Sequence, residues 1–145
     1  MWIADFFFSN CPGPCLTMTQ RMAQLHRSLP DRVRFVSITI DPLTDQPAVL
    51  TRYAARFGVA ADDQTWLFLT GDQESIYRLA REGFHLAASG PGAPDFKGPD
   101  ATPLAASLHS TRFALVDGSG RVRGIYDSTD EDDLRRLSAD VLVPR

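Results

Sequence analysis

Two cysteines in the segment Cys11-Pro12-Gly13-Pro14-Cys15 are the residues of this 145-residue chain with the plainest capacity for chemistry. Two converging thiolates can close a disulfide or hold a soft metal ion, and the three-residue gap is one wider than that of thioredoxin-type redox enzymes. Pro12 and Pro14 restrict the loop, and Gly13 permits the turn. The motif follows an apolar run, Trp2 to Phe8, and precedes an amphipathic helix. It therefore lies at the carboxyl end of a strand, where open α/β sheets place ligand sites. Cys15 is expected in the first helical turn, where unpaired backbone N–H groups favour thiolate over thiol and lower the pKa, making it both a nucleophile and a metal ligand. The alternative is a pair of inert thiols or a loop-stapling disulfide, neither of which needs such an electropositive position.

Two sulfurs alone make a linear, exchangeable site, and three histidines are available as a third ligand. His26 lies three turns along the helix from Cys15, about 16 Å away at the rise of an α-helix, and reads as a surface or half-buried residue. His85 follows the third helix and reads as a plain surface residue unless its loop folds back. His109 stands directly before a strand, in the loop that faces the cysteine pair in thioredoxin folds. It is either satisfied by water or completes a site of two sulfurs and one imidazole, a soft three-coordinate set that suits Cu(I) and accepts Cu(II). Structural zinc would ask for a fourth protein ligand, and none is evident. Met18 and Met22 fit the apolar stripe of the first helix and read as core. Asp41 and Asp45, after the second strand, sit at the same sheet edge as the cysteines. Turn formation and helix capping account for them, with Asp45 placed before Pro47; orienting His109 or docking a partner is a further role open to both.

The elements that must position these residues follow from periodicity. The first strand is Trp2 to Phe8, and Met18, Met22, Leu25 and Leu29 recur at helical spacing until Pro30. Val33 to Ile40 is a buried strand ending at Asp41-Pro42. A second helix starts near Pro47, aligns Val49, Leu50, Tyr53, Ala54 and Phe57, and closes at Gly58. Trp66 to Leu69 is a third strand, and a helix capped by Asp72 runs to Gly83. Residues 84–108, rich in proline and glycine, form an extended loop or weak hairpin of the kind that often carries function. Arg112 to Val116 and Arg121 to Tyr126 flank Asp117-Gly118-Ser119-Gly120 as a hairpin. Thr129 with Asp132 resembles a capping box before a last helix carrying Leu134, Leu137 and Val141. This order predicts a single thioredoxin-like α/β domain over 1–145, with a central mixed sheet flanked by helices and an irregular insertion before the last hairpin.

A net charge of −3 with interspersed signs gives no basic stripe, so nucleic acid is not an expected partner. No run approaches the ~18 apolar residues that would cross a bilayer. Because the first strand starts at once, with no leader or turn before it, residues are expected upstream of Met1, and targeting information with them. The expected oligomeric state is a monomer.

Taken together, Phe6-Phe7-Phe8-Ser9-Asn10-Cys11-Pro12-Gly13-Pro14-Cys15, Asp41-Pro42-Leu43-Thr44-Asp45-Gln46-Pro47 and Leu108-His109-Ser110 make the chain resemble the Sco/SenC family of copper proteins, which assemble the binuclear copper centre of cytochrome oxidase. The resemblance spans nearly the whole chain. It implies Cys11, Cys15 and His109 as copper ligands, Asp41 and Asp45 as shapers of the site or of a partner surface, and the copper-site subunit of the oxidase, or another copper or thiol client protein, as partner. It also implies an extracytoplasmic or periplasmic location behind an N-terminal anchor, with a leading hairpin upstream. Leu16 stands where the family commonly has proline. A thiol-disulfide oxidoreductase using Cys11 and Cys15 without stable metal is the competing function. A peroxidase is the weaker one, since Ser9 precedes Cys11 by two positions and no Thr-x-x-Cys loop is present.

Overall fold

A computed structural model describes residues 1–11, 14–85 and 111–143. The elements are β1 (Trp2–Phe7), α1 (Pro14–Ser28), β2 (Arg34–Thr39), α2 (Pro47–Ala55), β3 (Trp66–Leu69), α3 (Gln73–Arg78), β4 (Arg112–Val116), β5 (Val122–Asp127) and α4 (Glu131–Asp140). They form one five-stranded sheet in the order β3-β2-β1-β4-β5. The β1–β2 and β2–β3 pairs are parallel, and β1–β4 and β4–β5 are antiparallel. The expected mixed sheet with flanking helices is therefore the observed one.

β1 is the middle strand and is hydrogen-bonded on both sides, which explains why nearly every residue in it is apolar and buried. The register sets Ile3 beside Phe35 and Phe35 beside Trp66, so alternate residues of the three parallel strands share one face. On this face His26 of α1 packs on Phe35 and Trp66, with ring centroids 5.1 and 5.4 Å apart, and Tyr53 of α2 stacks on Phe7 at 5.1 Å. His26 Nε2 lies 2.7 Å from Thr65 Oγ1, which donates to Asp63 Oδ1 at 2.6 Å, so the histidine ties α1 to the start of β3 as a half-buried residue. Met18, Met22, Leu25 and Leu29 are all buried, as their spacing requires. On the opposite face Phe84 meets Phe6 and Trp2 edge to face, after α3 has continued into a π-helical turn over Leu79–Gly83.

The local expectations about α2, α3 and the hairpin hold. Pro47 opens α2, Gly58 takes a left-handed φ of 80° after it, and Asp72 caps α3 by accepting from the Ser75 amide at 2.9 Å. In the β4–β5 turn, Asp117 Oδ1 accepts from the amides of Ser119 (2.9 Å) and Arg121 (3.1 Å). The cap of α4 corrects the sequence reading. Asp130, not Thr129, is the N-cap and accepts from the amides of Asp132 and Asp133. Thr129 Oγ1 instead donates to Asp127 Oδ1 at 2.7 Å, closing the turn before the helix.

One residue breaks the apolar logic of β1. Asp5 is 1% exposed, and among the described residues its two carboxyl oxygens are the buried side-chain atoms without a hydrogen bond of ordinary geometry. Ser37, its register partner on β2, pulls only part of the way back, because the loss of hydration outweighs it. Burial raises the Asp5 pKa from 3.8 to about 7. The folded protein thus holds a proton that the unfolded chain releases, so stability is full below pH ~4, falls as pH rises toward 7, and levels off above it. The span corresponds to about 4 kcal/mol. Urea unfolding across pH 4–8 should show this decline in the wild type and a flat profile in Asp5→Asn; a flat wild-type profile would show that Asp5 does not titrate in this way.

Candidate metal centre

The chain leaves the central strand at Phe7, makes a turn in which the Cys11 amide donates to Phe8 O at 3.3 Å, and enters α1 at Pro14. Both cysteines are thiols rather than a disulfide, and both are buried, Cys11 at 9% exposed and Cys15 at 2%. Their side chains lie within hydrogen-bonding reach of each other. The two sulfurs are therefore adjacent at the carboxyl edge of the sheet, as the motif's position implied.

The charge state of Cys15 corrects the sequence reading. Its pKa is well above the ordinary thiol range, not below it. Burial is the largest cause, followed by the hydrogen bond with Cys11; a backbone hydrogen bond from Phe8 works the other way, and the charges of Cys11 and Asp5 add smaller contributions to the rise. Magnitudes explain the outcome. A helix N-terminus contributes about 0.3–1 kcal/mol, under one pKa unit, whereas desolvation moves a buried group by up to 3–5 units. Burial and the neighbouring sulfur therefore favour the thiol form of Cys15 in the metal-free protein.

The backbone around the sulfurs is fixed by polar groups that periodicity did not reveal. Thr19 Oγ1 donates to Cys15 O at 2.9 Å and lies 2.9 Å from the Tyr53 hydroxyl, which donates to it, so the first turn of α1 is tied to α2. Asp45 is fully buried and accepts from the Ser9 amide at 2.9 Å, from the Ser9 hydroxyl and from Thr39 Oγ1 at 2.6 Å. It does not cap α2, as its place before Pro47 suggested. The N-cap is Gln46, which makes no side-chain capping bond, and Asp45 turns toward the cysteine loop because that loop offers it buried donors. Asp41 shapes the β2–α2 loop through its backbone: its amide donates to Thr39 Oγ1 at 3.0 Å and its carbonyl accepts from the Asp45 amide at 2.8 Å.

The structure thus brings Cys11 and Cys15 together, with Asp45 behind them. His26 is engaged with Thr65 and the aromatic rings, and His85 is an exposed residue with a left-handed φ of 53°. His109, with Leu108 and Ser110, lies outside the described residues, as do Pro12, Gly13 and most of the 84–108 insertion. Among the described residues no three His, Cys, Asp or Glu side chains converge as a metal site, so these residues supply two sulfur donors. The signal for Ser9 and Thr39 was present only as hydroxyls near the motif, and that for Asp5 as one acid inside an apolar run.

The family model for SCO1/SenC matches residues 1–141. The chain belongs to the SCO1/SenC family. The SCO1 protein homolog of Bacillus subtilis (strain 168) is 31% identical over 145 residues, covering 97% of this chain and 69% of that protein. Among solved structures, a SCO1/SenC family lipoprotein from Bacillus anthracis str. Ames superposes with a TM-score of 0.77 at 28% identity, over 97% of this chain and 78% of that one. Yeast Sco1 with copper bound gives 0.67 at 25% identity, over 99% and 77%. The Sco family is one of cytochrome c oxidase assembly proteins, and its thioredoxin-like fold is the fold of this chain. Among the described residues no helix is long and apolar enough to cross a membrane.

The buried, protonated Cys15 has a direct chemical consequence. In Cys11→Ser protein at pH 7, iodoacetamide should modify Cys15 more than about tenfold more slowly than in the same protein unfolded in urea, with the rate rising as pH is raised. Mass spectrometry of quenched samples measures it, and equal rates in the two states would show that the thiol is neither shielded nor raised.

Proposed function

We propose that this protein carries copper as cargo, held by Cys11 and Cys15 with His109 as third ligand, and delivers it to the binuclear copper site of cytochrome c oxidase. The observation that carries the reading is the pair of adjacent sulfurs at the β1–α1 junction of a Sco fold, since yeast Sco1 of the same fold is known with copper bound. The donor chemistry fits. Two soft sulfurs in a buried, low-dielectric turn suit Cu(I), and one imidazole completes a three-coordinate set that also accommodates Cu(II). Copper binding displaces the Cys15 proton, so uptake releases acid and strengthens as pH rises. Release then proceeds by ligand exchange, in which client thiolates replace the protein's sulfurs one at a time and Cys15 regains its proton. That regained S–H bond favours unloading, because the bare thiolate is costly in this environment.

The adjacency of the sulfurs also supports a second reading, thiol-disulfide exchange with a client. In it the more exposed Cys11 attacks a client disulfide and the buried Cys15 resolves the mixed disulfide. By likeness to its lipoprotein relative, we infer a membrane-tethered location outside the cytoplasm for either reading.

An anaerobic Cu(I) titration of the reduced protein against a chromophoric chelator separates them. Wild type should bind one copper tightly, Cys11→Ser/Cys15→Ser should bind none, and His109→Ala should lose roughly tenfold or more in affinity. Failure of wild type to retain copper sinks the carrier reading, and an unchanged His109→Ala removes His109 from the site.

A further inference from the structure

We propose that Asp45 is a positioning residue that holds the Cys11 thiol in place for copper capture and disulfide closure, acting through Ser9 rather than on the sulfurs. For copper this rests on the carrier reading above. Ser9 lies two residues beyond the end of β1 and two before Cys11. Its amide and its hydroxyl both donate to the Asp45 carboxyl, 36 residues away in sequence. The same carboxyl accepts from Thr39, whose register partner is Phe7, the last residue of β1. Asp45 therefore fastens the first residues of the cysteine loop to the end of the strand pair from which that loop departs.

Three observations separate this from an ordinary loop carboxylate. Asp45 is 0% exposed, and the cost of burying an acid is offset where donors meet it, as they do here from three groups. Its side chain leaves the N-terminus of α2 without a side-chain cap, although it sits where it could start that helix. Asp41, four residues earlier, engages its surroundings through its backbone amide and carbonyl, so holding the cysteine loop falls to Asp45. The reacting atoms gain preorganisation. Copper capture and disulfide closure both need the Cys11 sulfur beside that of Cys15, and a Ser9 released from Asp45 spreads Cys11 over many positions in which they are apart.

Asp45→Ala should weaken Cu(I) binding about 10–100-fold, the usual cost of removing a group that orients a metal ligand. The disulfide readout is equilibrium with glutathione, in which Cys11 and Cys15 are oxidised to one disulfide while one glutathione disulfide is reduced to two glutathione molecules. Asp45→Ala should lower the equilibrium constant for closure about tenfold, a potential about 30 mV less negative. Asp45→Asn, which keeps an oxygen acceptor for the Ser9 amide and the Thr39 hydroxyl while the Ser9 hydroxyl turns to accept from its NH2 group, should recover most of both losses. Leu137→Ala, which opens the core at α4 away from the loop, lowers the unfolding midpoint but should leave both readouts where they were.

The proposal is overturned if Asp45→Ala stays within about twofold of wild type in both readouts, or if Leu137→Ala produces the same losses, since neither fits a ligand-orienting group. If Asp45→Ala does not fold, Ser9→Ala decides, because it deletes one donor and keeps the amide bond; a several-fold loss is expected, and no change overturns the clamp. If wild type retains no copper, the carrier reading fails by itself and the glutathione equilibrium still decides the role of Asp45.

Discussion

The site depends on the placement of β1 at the middle of the sheet. A strand bonded on both edges cannot shift its register without breaking two ladders, so Phe7 ends at a fixed point and the turn to α1 begins there. The chain then has only Phe8 to Gly13 in which to reach the helix. Cys11 lies in this short passage and Cys15 in the first turn of the helix it reaches, so the fold itself brings the two together. The same crowding takes them out of water, and the state of Cys15 follows from that.

Two opposing influences act on that thiol, and their sizes decide the chemistry. The helix end offers a modest stabilisation of the thiolate, while the loss of hydration, the contact with Cys11 and the charge of Asp5 oppose it and prevail. A permanently ionised Cys15 would bind metal more tightly but release it reluctantly. A thiol that must be deprotonated lowers the affinity at neutral pH and gives the departing metal a competitor, the proton. Such a competitor fits the carrier role proposed above.

The strand and helix order, the mixed sheet and the location of the cysteines were legible because periodicity of apolar residues and the turn residues agree along the chain. Met18 and Met22 were separable from metal ligands by their helical spacing, and both are buried. Less legible were features decided by contacts between distant segments. Asp45 reads locally as a helix-capping residue, and only folding shows that Ser9, 36 positions earlier, offers it a better set of donors. Thr129 similarly lost the cap to Asp130 because Asp127 claimed its hydroxyl. The sign of the Cys15 shift needed burial, which a helix-end argument does not contain.

Two buried acids flank this passage and are treated in opposite ways. Asp45 has donors from two segments and so locks them together, whereas Asp5 lies below in β1 with neither oxygen satisfied. An apolar residue at position 5 would fit the strand at no electrostatic cost, and would remove a negative influence that both Cys15 and Tyr53 sense. Stability alone therefore does not account for Asp5. With the carboxyl ionised above pH ~7, its charge adds to the cost of a second negative charge at Cys15, so the acid in the strand and the burial of the helix turn act in the same direction. Both hold the sulfur in its protonated form until something stronger than a proton arrives.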